Sequence, residues 1–127
     1  LAQQYTNDFL NALGDPATFF ATGKNPISVY INLFRDALLK DKKMCLCGLL
    51  GAESDSLPAK VLYETQVFFQ RNINWLTDAY SVMGTDNKTL AKHKAIGTIA
   101  MLEGAMLISK TLDDDQIFEQ AITTLTK

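Results

Sequence analysis

The segment from Pro58 to Met83 constrains the fold more than any other part of the sequence. Its apolar residues recur at helical spacing and form two adjacent stripes. One stripe is Val61, Phe68, Asn72, Trp75, Ala79 and Val82, and the other is Leu62, Phe69, Ile73, Leu76, Tyr80 and Met83. Two adjacent stripes make a wide apolar face, which is typical of a helix at the centre of a bundle. The sequence therefore predicts one long helix here, with partner helices packed around it.

Helix-start signals flank this segment on both sides. Asn25 is a good N-cap and Pro26 suits the first position of a helix, so we predict a helix that begins there and continues to about Leu39. Residues 85–87 similarly cap a predicted helix over residues 88–112. Residues 17–24 are the least readable segment, and Phe19 and Phe20 fit either a short helix or a pocket-lining turn.

The end of the chain favours one more helix. Asp113, Asp114 and Asp115 supply caps and negative charge at its start, and Gln116 forms a predicted capping box with Asp113. Since no segment alternates as a strand does, we predict an all-α domain of about six helices over residues 1–127.

Composition narrows the functional classes. The chain has 127 residues, of which 47% are hydrophobic and 20% charged, and a net charge of −2. An acidic chain is a poor partner for nucleic acid. No continuous apolar run approaches the roughly 18 residues of a membrane span, and the first residues do not resemble a secretory signal. We therefore predict a cytoplasmic domain that neither enters a membrane nor binds DNA through its own residues.

Catalytic and metal-binding patterns are weak. Cys45 and Cys47 lie two positions apart, which on a helix directs their side chains to different sides. His93 is the single histidine and stands between Lys92 and Lys94, without a nucleophile motif. A zinc site therefore lacks ligands. We predict that the chain is not an enzyme and that it uses neither a metal nor another cofactor.

Aromatic and apolar residues are instead abundant enough to line a ligand pocket in a helical bundle. The polar residue Asn72 is the most informative candidate, because it interrupts the apolar stripe between Phe68 and Trp75, where a polar side chain needs a hydrogen-bond partner. The candidate ligand-binding residues are Tyr30, Phe34, Met44, Cys47, Phe68, Asn72, Trp75 and His93. The alternative for each aromatic residue is an ordinary place in the core.

Three stretches of the sequence, in order along the chain, carry a resemblance to a known family. Residues 44–61 read MCLCGLLGAESDSLPAKV, and the helix that follows carries FF at 68–69 and NINWL at 72–76. Residues 100–107 read AMLEGAML and residues 118–122 read FEQAI. In this order and spacing, the segments resemble the C-terminal domain of TetR/AcrR-family transcriptional regulators.

The resemblance implies an effector-sensing and dimerisation domain of a repressor. In that family a small hydrophobic or aromatic effector enters the helical domain and shifts the affinity for DNA allosterically. Residues 1–13 would be the tail of the helix that connects this domain to an N-terminal DNA-binding domain, which is not in this sequence. The resemblance also implies a homodimer that pairs the last two long helices of each subunit as a four-helix bundle.

The pattern of residues 88–112 agrees with a partner subunit, since this helix is apolar on two opposite arcs. Gly and Ala on one arc allow a second helix to approach closely. The predicted interface residues on the last two helices are Gly97, Ala100, Met101, Gly104, Ile108, Phe118, Ala121, Ile122 and Leu125. The opposite arc of the same helix, Ala91, Ala95, Ile99, Leu102 and Met106, also remains a candidate for the partner-facing side.

A second functional class stays open. The chain is alternatively a stand-alone dimeric helical protein that carries or scaffolds a hydrophobic small molecule. The carrier hypothesis expects a natural start at or just before Leu1. The repressor hypothesis expects roughly 50 further residues upstream, with a helix-turn-helix.

Overall fold

The computed structural model describes Asn11, residues 13–40 and residues 54–125. Every regular element among these residues is helical, which confirms the all-α prediction for this part of the chain. The five α-helices are α1 (Pro16–Ala21), α2 (Pro26–Lys40), α3 (Ala59–Val82), α4 (Lys88–Leu112) and α5 (Gln116–Ile122), and a short 3-10 helix covers Ser54–Ser56. The helix tail predicted in residues 1–13 lies largely outside the described residues, and residues 44–52 of the family resemblance lie wholly outside them.

The predicted caps of α2 and α4 are confirmed. The Oδ1 atom of Asn25 accepts hydrogen bonds from the backbone nitrogens of Ile27 at 2.9 Å and Ser28 at 3.2 Å. The Oδ1 atom of Asn87 accepts one from the backbone nitrogen of Leu90 at 3.2 Å. Each cap satisfies donors that the first turn of a helix leaves without a partner.

Helix α1 shows that the segment around Phe19 and Phe20 is a short helix, the first of the two alternatives for residues 17–24. Asp15 caps it, since its Oδ1 atom accepts from the backbone nitrogen of Ala17 at 2.9 Å, and Pro16 fills the first helical position. Six residues are too few for periodicity to show. The Asp-Pro pair was nevertheless a readable start signal.

The capping box predicted between Asp113 and Gln116 is wrong. Asp113 terminates α4 in a left-handed conformation (φ 51°), and its backbone nitrogen donates back to the carbonyl oxygen of Lys110. Asp114 supplies the side-chain contact instead, because its Oδ1 atom accepts from the backbone nitrogen of Gln116 at 3.0 Å. The chain reverses within this turn, so one aspartate ends the first helix and the next precedes the second.

Helix α3 lies at the centre of the bundle, as its two stripes predict. It packs against α1, α2 and α4, while α5 packs on α4. The most deeply buried positions of α3 are Phe68, Asn72, Leu76 and Ala79. The remaining apolar residues of both stripes, apart from Trp75, are half-buried at the edges of the same face.

Helix α4 buries one of its two apolar arcs inside the subunit. Ala91, Ala95, Ile99, Leu102 and Met106 all face the core. By length and composition alone α4 is also long and apolar enough to cross a membrane, although 39% of its most apolar stretch is buried in the bundle. Its opposite face is largely exposed to solvent.

An ion pair fixes α5 against α2. The Nε atom of Arg35 lies 2.8 Å from Oε2 of Glu119, and its Nη2 atom lies 3.1 Å from Oε1. The two side chains retain about a third of their exposure, at 31% and 35%. A bidentate ion pair of this kind determines how α5 is oriented on α2 more than it stabilises the fold, because solvent screens the charges of partly exposed pairs.

Candidate functional site

Five of the predicted ligand-binding residues come together in the core. They are Tyr30, Phe34, Phe68, Asn72 and Trp75, hereafter the aromatic-amide cluster, and none is more than 8% exposed. Helix α2 contributes the first two residues and α3 contributes the other three. Because residues three and four apart share one face of a helix, the spacing of positions 68, 72 and 75 directs all three towards α2.

The side-chain amide of Asn72 is hydrogen-bonded in two directions. The hydroxyl of Tyr30 donates to Oδ1 of Asn72 at 2.8 Å, and Nδ2 of Asn72 donates to the carbonyl oxygen of Phe68 at 2.8 Å. Asn72 is completely buried, so these bonds replace the water that its amide loses on folding. The polar residue predicted on the aromatic stripe therefore joins α2 to α3.

The ring of Tyr30 packs between two other aromatic rings. Its centre lies 5.2 Å from that of Phe34, with the planes tilted by 35°, and 5.7 Å from that of Trp75, with the planes at 28°. These distances lie within the range in which aromatic pairs stabilise each other. Three side chains of the cluster are thus in direct ring contact.

Trp75 connects the cluster to the chain that precedes α1. Its Nε1 atom donates to the carbonyl oxygen of Gly14 at 2.7 Å. Gly14 adopts a left-handed conformation (φ 73°), which side chains other than glycine rarely tolerate. Asn11 and Leu13, just before this turn, are helical, so the indole holds the end of the segment predicted to connect to another domain.

A surface cleft of about 480 Å³ borders the cluster at Trp75. Its other lining residues are Asn11, Gly14, Arg71, Asn74 and Asp78. The cleft lies within the size range of small-molecule sites. Trp75, whose Nε1 atom donates to Gly14, is the member of the aromatic-amide cluster that lines this cleft.

The other three predicted ligand-binding residues do not join the cluster in the described structure. His93 is exposed on α4. Met44 and Cys47 lie outside the described residues. Within the described part of the chain, no group of three or more His, Cys, Asp or Glu side chains is placed to hold a metal ion.

The predicted dimer-interface residues divide into three groups. Gly97, Ala100 and Ile108 are exposed, whereas Met101, Gly104, Ala121 and Leu125 are half-buried. Phe118 and Ile122 lie in the subunit's own core, where α5 packs on α4. The short α5 therefore uses its best apolar side chains within the subunit, and the exposed part of the predicted interface is on α4.

Sequence reasoning missed a second surface cleft of about 570 Å³, hereafter the Lys94 cleft. Its lining includes Asn25, Ser28, Tyr80, Met83, Thr85 and Lys94. These residues come from α2, the end of α3, the following loop and α4, so no local pattern joins them. Lys94 is one of four lysines in residues 88–112, so the sequence did not single it out.

No protein-family model, no curated protein and no solved structure matches this chain.

Proposed function

We propose that this chain is the effector-sensing and dimerisation domain of a TetR/AcrR-like transcriptional repressor, acting in the cytoplasm as a homodimer. The observation that carries the proposal is the outward face of α4. Its large exposed apolar residues are Leu90, Ile96, Leu107, Ile108 and Leu112. An apolar surface of this extent along one helix is typical of a protein interface.

Two glycines on the same face strengthen this argument. A Cβ atom added to Gly97 or Gly104 meets no atom within 4 Å inside the subunit. Glycine in the middle of a helix costs roughly 0.5–1 kcal/mol relative to alanine. Since packing within the subunit does not require either glycine, their benefit is expected where a second backbone approaches closely.

A second copy of this chain is the partner that fits this face. Two antiparallel copies of α4 that meet at Gly97 and Gly104, flanked by the two copies of α5, would make the four-helix bundle that the family resemblance implies. Ala121 and Leu125 are half-buried next to this face and would complete the contact. The two-fold arrangement uses the same residues on both subunits.

The sensing step is proposed for the aromatic-amide cluster. A small hydrophobic or aromatic effector that displaces Trp75 breaks its bond to the carbonyl oxygen of Gly14 and frees the turn before α1. Residues 1–13 would then move relative to the bundle and reposition an N-terminal DNA-binding domain. Such an effector acts through its differential affinity for the two arrangements of the dimer.

The test uses the full-length product of the natural gene. Native mass spectrometry gives the oligomeric state and any retained small molecule, and selection of bound duplexes from fragmented DNA reveals sequence-specific binding. We expect a dimer that retains a defined duplex and releases it when the effector is added. A monomer refutes the proposal, whereas a dimer that holds a hydrophobic molecule but selects no duplex establishes the carrier function instead.

A further inference from the structure

The Lys94 cleft continues into a neighbouring cleft of about 310 Å³. Asn25 and Met83 line both, so the two clefts adjoin and form one groove with lining residues from α1, α2, α3, α4 and the loops beside them. The second cleft ends at Phe20 and Lys24, and half of the Phe20 side chain is exposed. Together the clefts offer a polar end at Lys94 and an apolar extension along Met83 to Phe20.

The charges of this groove have one sign. Lys94 and Lys24 are lining residues, and neither cleft has an acidic residue in its lining. Lys94 makes no ion pair with a described carboxylate. Its Nζ atom lies 3.5 Å from Oγ1 of Thr85 and 5.9 Å from the ring centre of Tyr80, and both of these residues also line the cleft. A chain with a net charge of −2 thus concentrates positive charge here.

Neutral hydrogen-bond donors accompany the lysine. The Oδ1 atom of Asn25 is occupied by the backbone of α2, so its Nδ2 amide is the part that remains to donate. Ser28 and Thr85 add hydroxyl groups to the lining. The positive end of the α2 dipole lies at the same place. A carboxylate is the group that such a set of donors best satisfies.

We propose that the Lys94 cleft binds a small organic carboxylate with an apolar tail. The carboxylate contacts the Lys94 ammonium and the donors at the start of α2, and the tail lies along Met83 towards Phe20. The volume agrees with the roughly 300–1,000 Å³ of known small-molecule pockets. The proposal stands independently of the DNA-binding function, because it concerns a surface groove separate from the aromatic-amide cluster.

The test is a titration of the isotopically labelled chain with sodium octanoate, followed by amide NMR shifts and calorimetry. 1-Octanol and sodium acetate serve as tail-only and head-only probes. We expect octanoate to shift the amides of Met83, Thr85 and Lys94, and to bind about tenfold more tightly than either probe, a difference of about 1.4 kcal/mol. Lys94→Met should weaken octanoate binding about tenfold and leave 1-octanol binding unchanged, since it removes one charge-assisted contact.

Lys92→Met is the matched control, because Lys92 is exposed on the same helix and does not line either cleft. Octanoate should bind this variant as it binds the unmodified chain. The proposal is overturned if octanoate leaves the cleft amides unshifted, or if Lys94→Met and Lys92→Met bind it equally well. Octanoate that instead changes Trp75 emission, with no effect of Lys94→Met, also overturns it and points to the aromatic-amide cluster.

Discussion

The hydroxyl of Tyr30 donates to the side-chain amide oxygen of Asn72 across 2.8 Å, although the two residues are 42 positions apart in the sequence. Both side chains are completely buried. The bond fixes α2 against α3 at one register, because a shift of either helix would leave a buried polar atom without a partner. This pair is thus the polar centre of an otherwise apolar core.

Removing the hydroxyl of Tyr30 should lower the free energy of unfolding, although it changes the side chain by a single atom. Tyr30→Phe leaves Oδ1 of Asn72 buried without its donor, so we expect the free energy of unfolding to fall by about 1–3 kcal/mol. Urea denaturation followed by circular dichroism measures the change. Tyr63→Phe is the control, because Tyr63 is 65% exposed and its loss of a hydroxyl should matter by less than about 0.5 kcal/mol.

Tyr30→Phe combined with Asn72→Leu should destabilise the chain by less than the sum of the single changes, since the double variant leaves neither polar group without a partner. If the loss of unfolding free energy in the double variant equals the sum of the two single losses, the side chains of Tyr30 and Asn72 do not stabilise each other.

Trp75 should control the turn that precedes α1. Trp75→Phe removes the hydrogen bond to the carbonyl oxygen of Gly14. Asp15 follows Gly14 and accepts hydrogen bonds from the backbone amides of Ala17 and Thr18, so hydrogen exchange at these two amides reports on any loosening of the turn. A loss of about 1 kcal/mol makes their hydrogen exchange about fivefold faster.

Phe69→Leu serves as the control for lost ring volume, because Phe69 is half-buried on the same helix. In Phe69→Leu, the amides of Ala17 and Thr18 should exchange no faster, relative to the other amides of α1, than in the unmodified chain. If both variants accelerate these amides equally, packing rather than the indole hydrogen bond holds the turn.

Self-association should depend on the outward face of α4. Gly104→Trp places a large ring where a partner helix is proposed to approach, and nothing inside the subunit obstructs it within 4 Å of the new Cβ atom. We expect the dimer to dissociate at concentrations at least about tenfold higher than for the unmodified chain, equivalent to about 1.4 kcal/mol. Sedimentation velocity over a concentration series measures this.

Gln66→Trp adds the same ring to an exposed position of α3 and should leave the dimer intact. An association constant that Gly104→Trp does not change would place the contact between subunits elsewhere.

Asp113 is the one described residue other than glycine with a positive φ. Asp113→Gly should stabilise the chain by about 0.5–1 kcal/mol, because glycine adopts the left-handed conformation that ends α4 without steric cost. Thermal unfolding measures the gain. Asp114→Ala is the opposing control, since it removes the side-chain bond to the backbone nitrogen of Gln116 and should lower the stability.

Local patterns were sufficient to predict much of this structure. The caps at Asn25 and Asn87 and the central position of α3 were all readable, because each depends on residues a few positions apart. The buried positions of Phe68, Asn72 and Trp75 followed from the same helical spacing. Helix α1 was too short for such a pattern, and the turn at Asp113 offered three aspartates of which the sequence selects none.

By itself, the sequence determined that the chain forms helices, where most of them begin, and which stripes are apolar. Only the tertiary structure decided which partners those stripes meet. It paired Tyr30 with Asn72, bonded Trp75 to Gly14, turned Phe118 and Ile122 inward, and assembled the Lys94 cleft from separate helices. The physical reason is that periodicity depends on neighbours within one helix, whereas contacts between helices depend on how several packed surfaces fit together at once.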